Sequence, residues 1–202
     1  MHANWDMYLA ARDLDEVQDA AYRMQQLALE HNNTEQAADM MMASRLYMIR
    51  GELEHGCVER ALEGTRSLLG DMALIEDCSP AWHSRAHQLH GRVFYAYTDY
   101  AGAAMWFEHA ARIREEAYKG SITVPYLYNQ ASASALKAGM EEWAVELALA
   151  ALKHIEQYSW VLEDPEGRAH RVESVRCLNR ALGLVSEAQP RRWWQRFSRK
   201  TA

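Results

Sequence analysis

Residues 87–110 have the sequence HQLHGRVFYAYTDYAGAAMWFEHA, in which small and aromatic residues recur at helical spacing. Two helices of a hairpin approach closely only where small side chains meet, and larger residues three or four positions away fill the flanking space. The separations of 3, 9, 4 and 3 residues are shared by three sets: Gly91, Phe94, Ala103, Phe107 and Ala110; Ser132, Ala135, Ala144, Ala148 and Ala151; and Tyr8, Ala11, Ala20, Met24 and Leu27. The pattern predicts a helical hairpin that is repeated along the chain.

The period of this repeat is 41–42 residues. It separates four alanines that mark the predicted crossing point of each hairpin, Ala20, Ala61, Ala103 and Ala144. Capping residues and glycines bound the helices, which we predict near residues 3–12, 13–31, 34–54, 57–76, 80–98, 100–118, 123–138, 140–158, 165–187 and 190–200. Because the connections are short, successive helices should pack antiparallel.

The composition supports an all-α fold. Gly and Pro together account for 14 of the 202 residues, and alanine far outnumbers the β-branched residues that sheets favour. No apolar stretch approaches the 18 residues or more that a membrane-spanning helix needs. The N-terminus lacks the features of a secretory signal, and the three cysteines, Cys57, Cys78 and Cys177, are odd in number. A cytoplasmic location is therefore expected.

Charge is unevenly distributed along the chain. Residues 191–202 contain five Arg or Lys residues and no acid, so the net charge of -6 leaves -11 for residues 1–190. An acidic body repels phosphate backbones, and binding to nucleic acid is not expected.

The repeated stretch resembles a tetratricopeptide repeat (TPR). His87–Phe94, Tyr100–Ala103 and Phe107–Ala110 are similar to that family's small-x-x-aromatic and Ala-x-x-x-aromatic-x-x-Ala pattern. The resemblance covers about residues 3–158, although the period is near 42 rather than 34, the usual closing proline is absent and Glu52 replaces an aromatic. It implies a right-handed solenoid of about four hairpins over residues 1–158, and residues 159–202 then complete the same domain.

Residues 159–202 contain a predicted capping helix and a basic tail. The helix at 165–187 has one apolar side, formed by Val172, Val175, Leu178, Leu182 and Val185, as expected of a helix that closes an array. In the tail, residues 191–200, Trp193 or Trp194 lies with Phe197 on one side of a helix with basic residues around it. The tail either docks as a cap or binds an anionic membrane or acidic partner; the acidic body favours docking.

The resemblance implies a non-catalytic adaptor or regulator that binds a peptide or a partner helix. In TPR-like arrays the first helix of each hairpin lines the concave side, and the corresponding residues here are Arg50, Arg85, Gln88, Arg92, Tyr95, Tyr126, Asn129 and Lys137. Asn129 resembles the asparagine that holds a peptide backbone in many such proteins, and the arginines would grip a carboxylate. The alternative is that these side chains are solvated or paired with the acidic body.

A second hypothesis places a metal-dependent enzyme or sensor at His83, His87 and His90. The first two imidazoles lie four residues apart on one helix face, within reach of a single ion. However, His87 and His90 occupy repeat positions that normally pack, and the sequence contains no phosphate-binding loop, nucleophile elbow or His-Glu-x-x-His motif. We therefore expect no cofactor and no catalysis.

Overall fold

The fold is known here from a computed structural model, which describes residues 14–30, 34–75 and 78–184. These ranges contain α1 (Leu14–Glu30), α2 (Thr34–Glu54), α3 (Val58–Met72), α4 (Pro80–Ala96), α5 (Tyr100–Ala117), α6 (Thr123–Lys137), α7 (Glu141–Gln157) and α8 (Pro165–Ala181), with a short 3-10 helix at Ser159–Leu162. No strand occurs in these ranges, and the predicted all-α class is confirmed. The helices predicted near 3–12 and 190–200 lie outside them.

Side-chain caps begin several helices where the sequence predicts them. The Ser79 hydroxyl accepts a hydrogen bond of 3.3 Å from the backbone nitrogen of Ala81, and the Asp164 carboxylate accepts one of 2.7 Å from that of Glu166. In both cases proline is the first helical residue. Proline suits the first helical position because its fixed φ is helical. The backbone N–H that it lacks would have no partner within the helix at that position.

The hairpin turns share one backbone geometry. Positive φ values of 78°, 61° and 74° occur at Gly56, Thr98 and Gly139, which follow α2, α4 and α6. At each turn this residue's N–H bonds to the carbonyl three residues earlier, and the next N–H bonds to the carbonyl five residues earlier. This arrangement satisfies the free carbonyls at a helix end and reverses the chain. The following helix then begins two residues later, as α3, α5 and α7 do.

The predicted crossing points are buried. Ala61, Ala103 and Ala144 are 0% exposed and Ala20 is 4% exposed, which confirms the repeat register at these positions. The approach is tight, because a Cβ atom added at Gly91 would lie 3.1 Å from the Phe107 ring. Leu27, which the spacing places at a packing position, is instead 37% exposed while Ala28 is buried. The register prediction is wrong there, because α1 turns the smaller side chain inward.

The helices form two layers. The first-helix layer consists of α2, α4, α6 and α8, in which α2 contacts α4 and α6 contacts α8. In the second layer, the Trp143 indole on α7 donates a hydrogen bond of 3.0 Å to Glu108 on α5. Each helix also packs on its neighbours in sequence, so the array has continuous contacts from α1 to α8.

The orientation of α8 differs from the sequence prediction. The residues of α8 that are buried are Gly167, Ser174, Cys177 and Ala181, whereas Val172, Val175 and Leu182 of the predicted apolar side are 58%, 43% and 52% exposed. The cause is steric: a Cβ atom at Gly167 would lie 1.8 Å from the carbonyl oxygen of Val161. Close packing therefore selects the face with small residues, and the predicted packing of the valine face is wrong.

None of the helices in the described ranges has the length and apolar character needed to span a bilayer.

Candidate functional site

The first-helix layer brings Arg50 and Arg92 together at one carboxylate. Arg50 Nε on α2 lies 2.7 Å from Glu54 Oε1, and Arg92 Nη2 on α4 lies 3.6 Å from the same oxygen. The Glu54 side chain is 43% exposed, so solvent screens both ion pairs and each contributes little to stability. Two guanidinium groups from neighbouring repeats therefore converge at one accessible point.

Tyr126 on α6 contacts side chains of both α4 and α8. Its side chain is hydrogen-bonded to Gln88 on α4, and its ring centroid lies 5.6 Å from that of His170 on α8. Burial raises the pKa of the Tyr126 phenol, while the positive charges of Arg92 and Arg50 oppose the rise.

Tyr47 and Arg85 belong to the same surface. Burial raises the pKa of Tyr47, and the charges of Arg85 and Arg50 oppose it. The Arg85 guanidinium lies 5.1 Å from the centroid of the Trp82 ring, close enough for a cation–π contact. We call this group of side chains the arginine–tyrosine surface; its members are Tyr47, Arg50, Arg85, Gln88, Arg92 and Tyr126.

Tyr95 and Lys137 form a separate contact near the C-terminal ends of α4 and α6. The Lys137 ammonium donates a hydrogen bond to the Tyr95 hydroxyl, and its nitrogen lies 4.5 Å from the Tyr95 ring centroid and 5.0 Å from that of Tyr100. The structure thus pairs these two predicted residues with each other, on consecutive first helices.

Asn129 lies at the contact between α6 and α8. It is 3% exposed, and its Nδ2 donates a hydrogen bond of 3.0 Å to the carbonyl oxygen of His170. Its Oδ1 atom is buried and has no hydrogen-bond partner. The amide nitrogen that the resemblance assigns to a bound peptide is therefore already used within the fold.

The histidines of the metal hypothesis pack against aromatic rings. His87 stacks on Trp106 with ring centroids 5.2 Å apart, and His90 shares a hydrogen bond of 2.6 Å with Thr65. Burial, together with nearby histidines, lowers the pKa of His87 to about 3, and burial lowers that of His90 to about 4. In the part of the chain that the structure describes, no group of three His, Cys, Asp or Glu side chains is placed to hold a metal. The metal alternative is not favoured.

Sequence reasoning missed Glu54, Tyr47, Trp82 and His170. Glu54 had a local signal, since it lies four residues after Arg50 on one helix. The other three are recognisable only from neighbouring helices: Trp82, for example, donates its indole N–H to Asp39, 43 residues earlier on α2.

Comparison with known proteins rests on structure alone. No protein-family model and no curated protein matches the sequence. Solved structures do match. That of BtubC (BKLC) from P. vanneervenii has a TM-score of 0.63 and 14% identity over 90% of this chain and 77% of that chain. That of a putative kinesin light chain with nearly identical TPR-like repeats from Podospora anserina has a TM-score of 0.62 and 18% identity, over 96% of this chain and 89% of that chain.

The chain has a TPR-like fold. A single-substitution variant of the Podospora anserina protein gives the same result, with a TM-score of 0.63 and 18% identity over 96% of this chain and 89% of that chain. At these identities the similarity concerns the fold only.

Proposed function

We propose that this TPR-like protein is a non-catalytic interaction scaffold, an adaptor or regulator, that binds a peptide or a partner helix on its arginine–tyrosine surface. The observation that carries the proposal is the convergence of Arg50 and Arg92, from successive repeats, at the exposed carboxylate of Glu54. Exposed ion pairs exchange at small cost, so a second anionic group can compete with Glu54 for Arg50 and Arg92.

The composition of the surface supports this proposal. Tyrosine and arginine are enriched at protein interfaces, since they combine a large apolar contact area with polar ends. Tyr47, Arg85 and Tyr126 supply such area beside the two converging arginines. Asn129 has a lesser role in this proposal, because its Nδ2 is bonded to His170.

We also propose a cytoplasmic location. Cys57, Cys78 and Cys177 are free thiols in the structure, and burial raises the pKa of the Cys78 and Cys177 thiols. Such thiols are poor nucleophiles and suit a reducing compartment.

A random peptide library displayed on phage tests the binding proposal. Peptides selected on the purified protein are measured against the Arg50→Ala/Arg92→Ala double variant and against Arg112→Ala. Arg112 is an exposed arginine of the second layer and pairs with Glu108, four residues earlier, as Arg50 pairs with Glu54. We expect the double variant to lose about tenfold or more in affinity and Arg112→Ala to keep it. Equal losses in both variants, or no selected peptide that depends on Arg50 and Arg92, would refute the proposal.

A further inference from the structure

Glu54 supplies one negative charge to two guanidinium groups. Its Oε1 atom lies 2.7 Å from Arg50 Nε and 3.6 Å from Arg92 Nη2, so a single oxygen faces both cations. The positive charge of the two arginines is therefore only half neutralised by Glu54. An anion of higher charge would neutralise them more fully.

Arg92 and Arg85 have hydrogen-bonding capacity that the described part of the chain does not use. The distance of 3.6 Å from Arg92 to Glu54 is an ion pair beyond hydrogen-bond reach, and the Arg92 guanidinium bonds to no other side chain within residues 14–30, 34–75 and 78–184. In the same ranges, Arg85 contacts the Trp82 ring and pairs with no carboxylate. A guanidinium offers five N–H donors in a planar fork, so both groups can bind the oxygens of an incoming anion.

A carboxylate of a partner would gain little at this point. Glu54 is the same chemical group, and the chain holds it at a high effective concentration beside Arg50, four residues earlier. A phosphomonoester differs from Glu54, because it carries a charge of about -1.5 to -2 at pH 7 and has three acceptor oxygens. Separate oxygens of one phosphate can therefore accept hydrogen bonds from Arg50 and Arg92 at the same time.

We propose that the arginine–tyrosine surface binds a phosphorylated side chain of a peptide, and that the phosphate displaces the Glu54 carboxylate from Arg50 and Arg92. This inference rests on the proposed function and names the chemistry of the ligand. The Glu54 side chain is 43% exposed, so it turns into solvent at small cost. Arg85 lies near enough to add a third cation, since its charge and that of Arg50 both act on Tyr47.

A phosphopeptide fits this surface better than a bilayer or a nucleic acid does. The net charge of -11 over residues 1–190 repels surfaces and polymers that carry many negative charges. A short peptide presents one phosphate and brings few other charges to the acidic body. In nucleic acid, moreover, each phosphodiester carries a single charge, as Glu54 does.

Four pools of random peptides test this proposal. The pools have one length and differ only in the central residue, which is serine, glutamate, phosphoserine or phosphotyrosine, and the affinity of each pool for the full chain is measured by fluorescence anisotropy. We expect at least one phosphorylated pool to bind about tenfold or more tightly than the glutamate pool. Arg50→Ala/Arg92→Ala should remove this preference. Arg50→Gln/Arg92→Gln replaces that variant if circular dichroism shows that it does not fold.

Removing the charge of Glu54 tests the displacement. Glu54→Gln should raise the affinity for the preferred phosphorylated pool about threefold or more, because the competing carboxylate is gone. Glu142→Gln is the matched control: Glu142 is an exposed residue at the start of α7 in the second layer, and its substitution changes the net charge by the same amount. The control should leave the affinity unchanged.

Each of four results would overturn the inference. The first is equal binding of the glutamate and phosphorylated pools; if that binding still depends on Arg50 and Arg92, the proposed function stands and the ligand is a carboxylate. The second is a phosphate preference that survives the double variant. The third is a Glu54→Gln chain that binds the phosphorylated pool no more tightly than Glu142→Gln does. The fourth is binding to phosphatidylcholine vesicles that contain phosphatidic acid, without a preference among the peptide pools. If none of the pools binds, the proposed function falls as well.

Discussion

Asn129 on α6 donates a side-chain hydrogen bond of 3.0 Å to the carbonyl oxygen of His170 on α8, 41 residues away in the sequence. The bond joins two first helices, and Asn129 is only 3% exposed. It changes what a substitution should do, because a residue that the sequence assigns to peptide contact now contributes to the stability of the array.

We predict that Asn129→Ala lowers the free energy of unfolding by about 0.5–1.5 kcal/mol, because one hydrogen bond between α6 and α8 is lost while the His170 carbonyl still accepts one of 2.8 Å from the Ser174 hydroxyl. Asn129→Asp tests the cause, since it keeps the shape and removes the donor, and it should be at least as destabilising. Chemical denaturation measures both. Unchanged stability in Asn129→Ala, combined with lost peptide binding, would restore Asn129 to the binding surface.

Ala103→Leu should lower the free energy of unfolding by about 1–3 kcal/mol, because Ala103 is 0% exposed where α5 crosses α4. Ala101→Leu is the control on the same helix, since Ala101 is exposed, and it should change stability little. Thermal melts of the two variants are compared. Equal melting temperatures would contradict the repeat register.

Gly167→Ala should destabilise the packing of α8, since the new Cβ atom would meet the Val161 carbonyl oxygen at 1.8 Å and backbone cannot move aside cheaply. We expect a loss of about 1–3 kcal/mol or more. Gly70→Ala on α3 is the opposite case: nothing lies within 4 Å of its Cβ position, so it should be neutral or stabilise by about 0.5–1 kcal/mol. Chemical denaturation distinguishes them, and a stabilising Gly167→Ala would show that α8 packs otherwise.

Stability should fall on acidification because of His87 and His90. Their folded pKa values, about 3 and about 4, lie below the ordinary value of 6.5, so below pH 6.5 the unfolded chain binds protons that the folded chain does not. The contribution of the two neutral histidines to the free energy of unfolding is complete above pH 6.5. It falls as the pH drops toward 4, by about 1 kcal/mol for each histidine after solvent screening.

Urea unfolding at pH 7.5 and pH 5 measures this effect. His87→Phe should reduce the pH dependence, because a neutral ring can keep the stacking on Trp106. A pH dependence that is the same in His87→Phe and in the parent chain would show that His87 is not buried in its neutral form.

Helix positions and the hairpin period were predictable from the sequence because they depend on local chemistry. The caps at Ser79 and Asp164 and the spacing of Ala103 and Ala144 act within one helix or one hairpin, where the geometry is nearly fixed. For the same reason, the predicted bounds of α2 and α4 differ little from the observed ones. The likeness of residues 87–110 to TPR rested on this local pattern.

The tertiary structure alone decided which side chains meet between repeats. Valine spacing on α8 indicated an apolar face, yet the face that packs is the one with Gly167, because backbone approach rather than hydrophobicity limits that contact. Likewise, Glu54 pairs with both Arg50 and Arg92 because α2 and α4 lie side by side. Asn129 bonds to His170 because α6 and α8 do. In each case the residues that meet between helices are 38–42 positions apart in the sequence. A local sequence pattern carries the size and polarity of each side chain, but the partner of a side chain depends on the offset and rotation between whole helices.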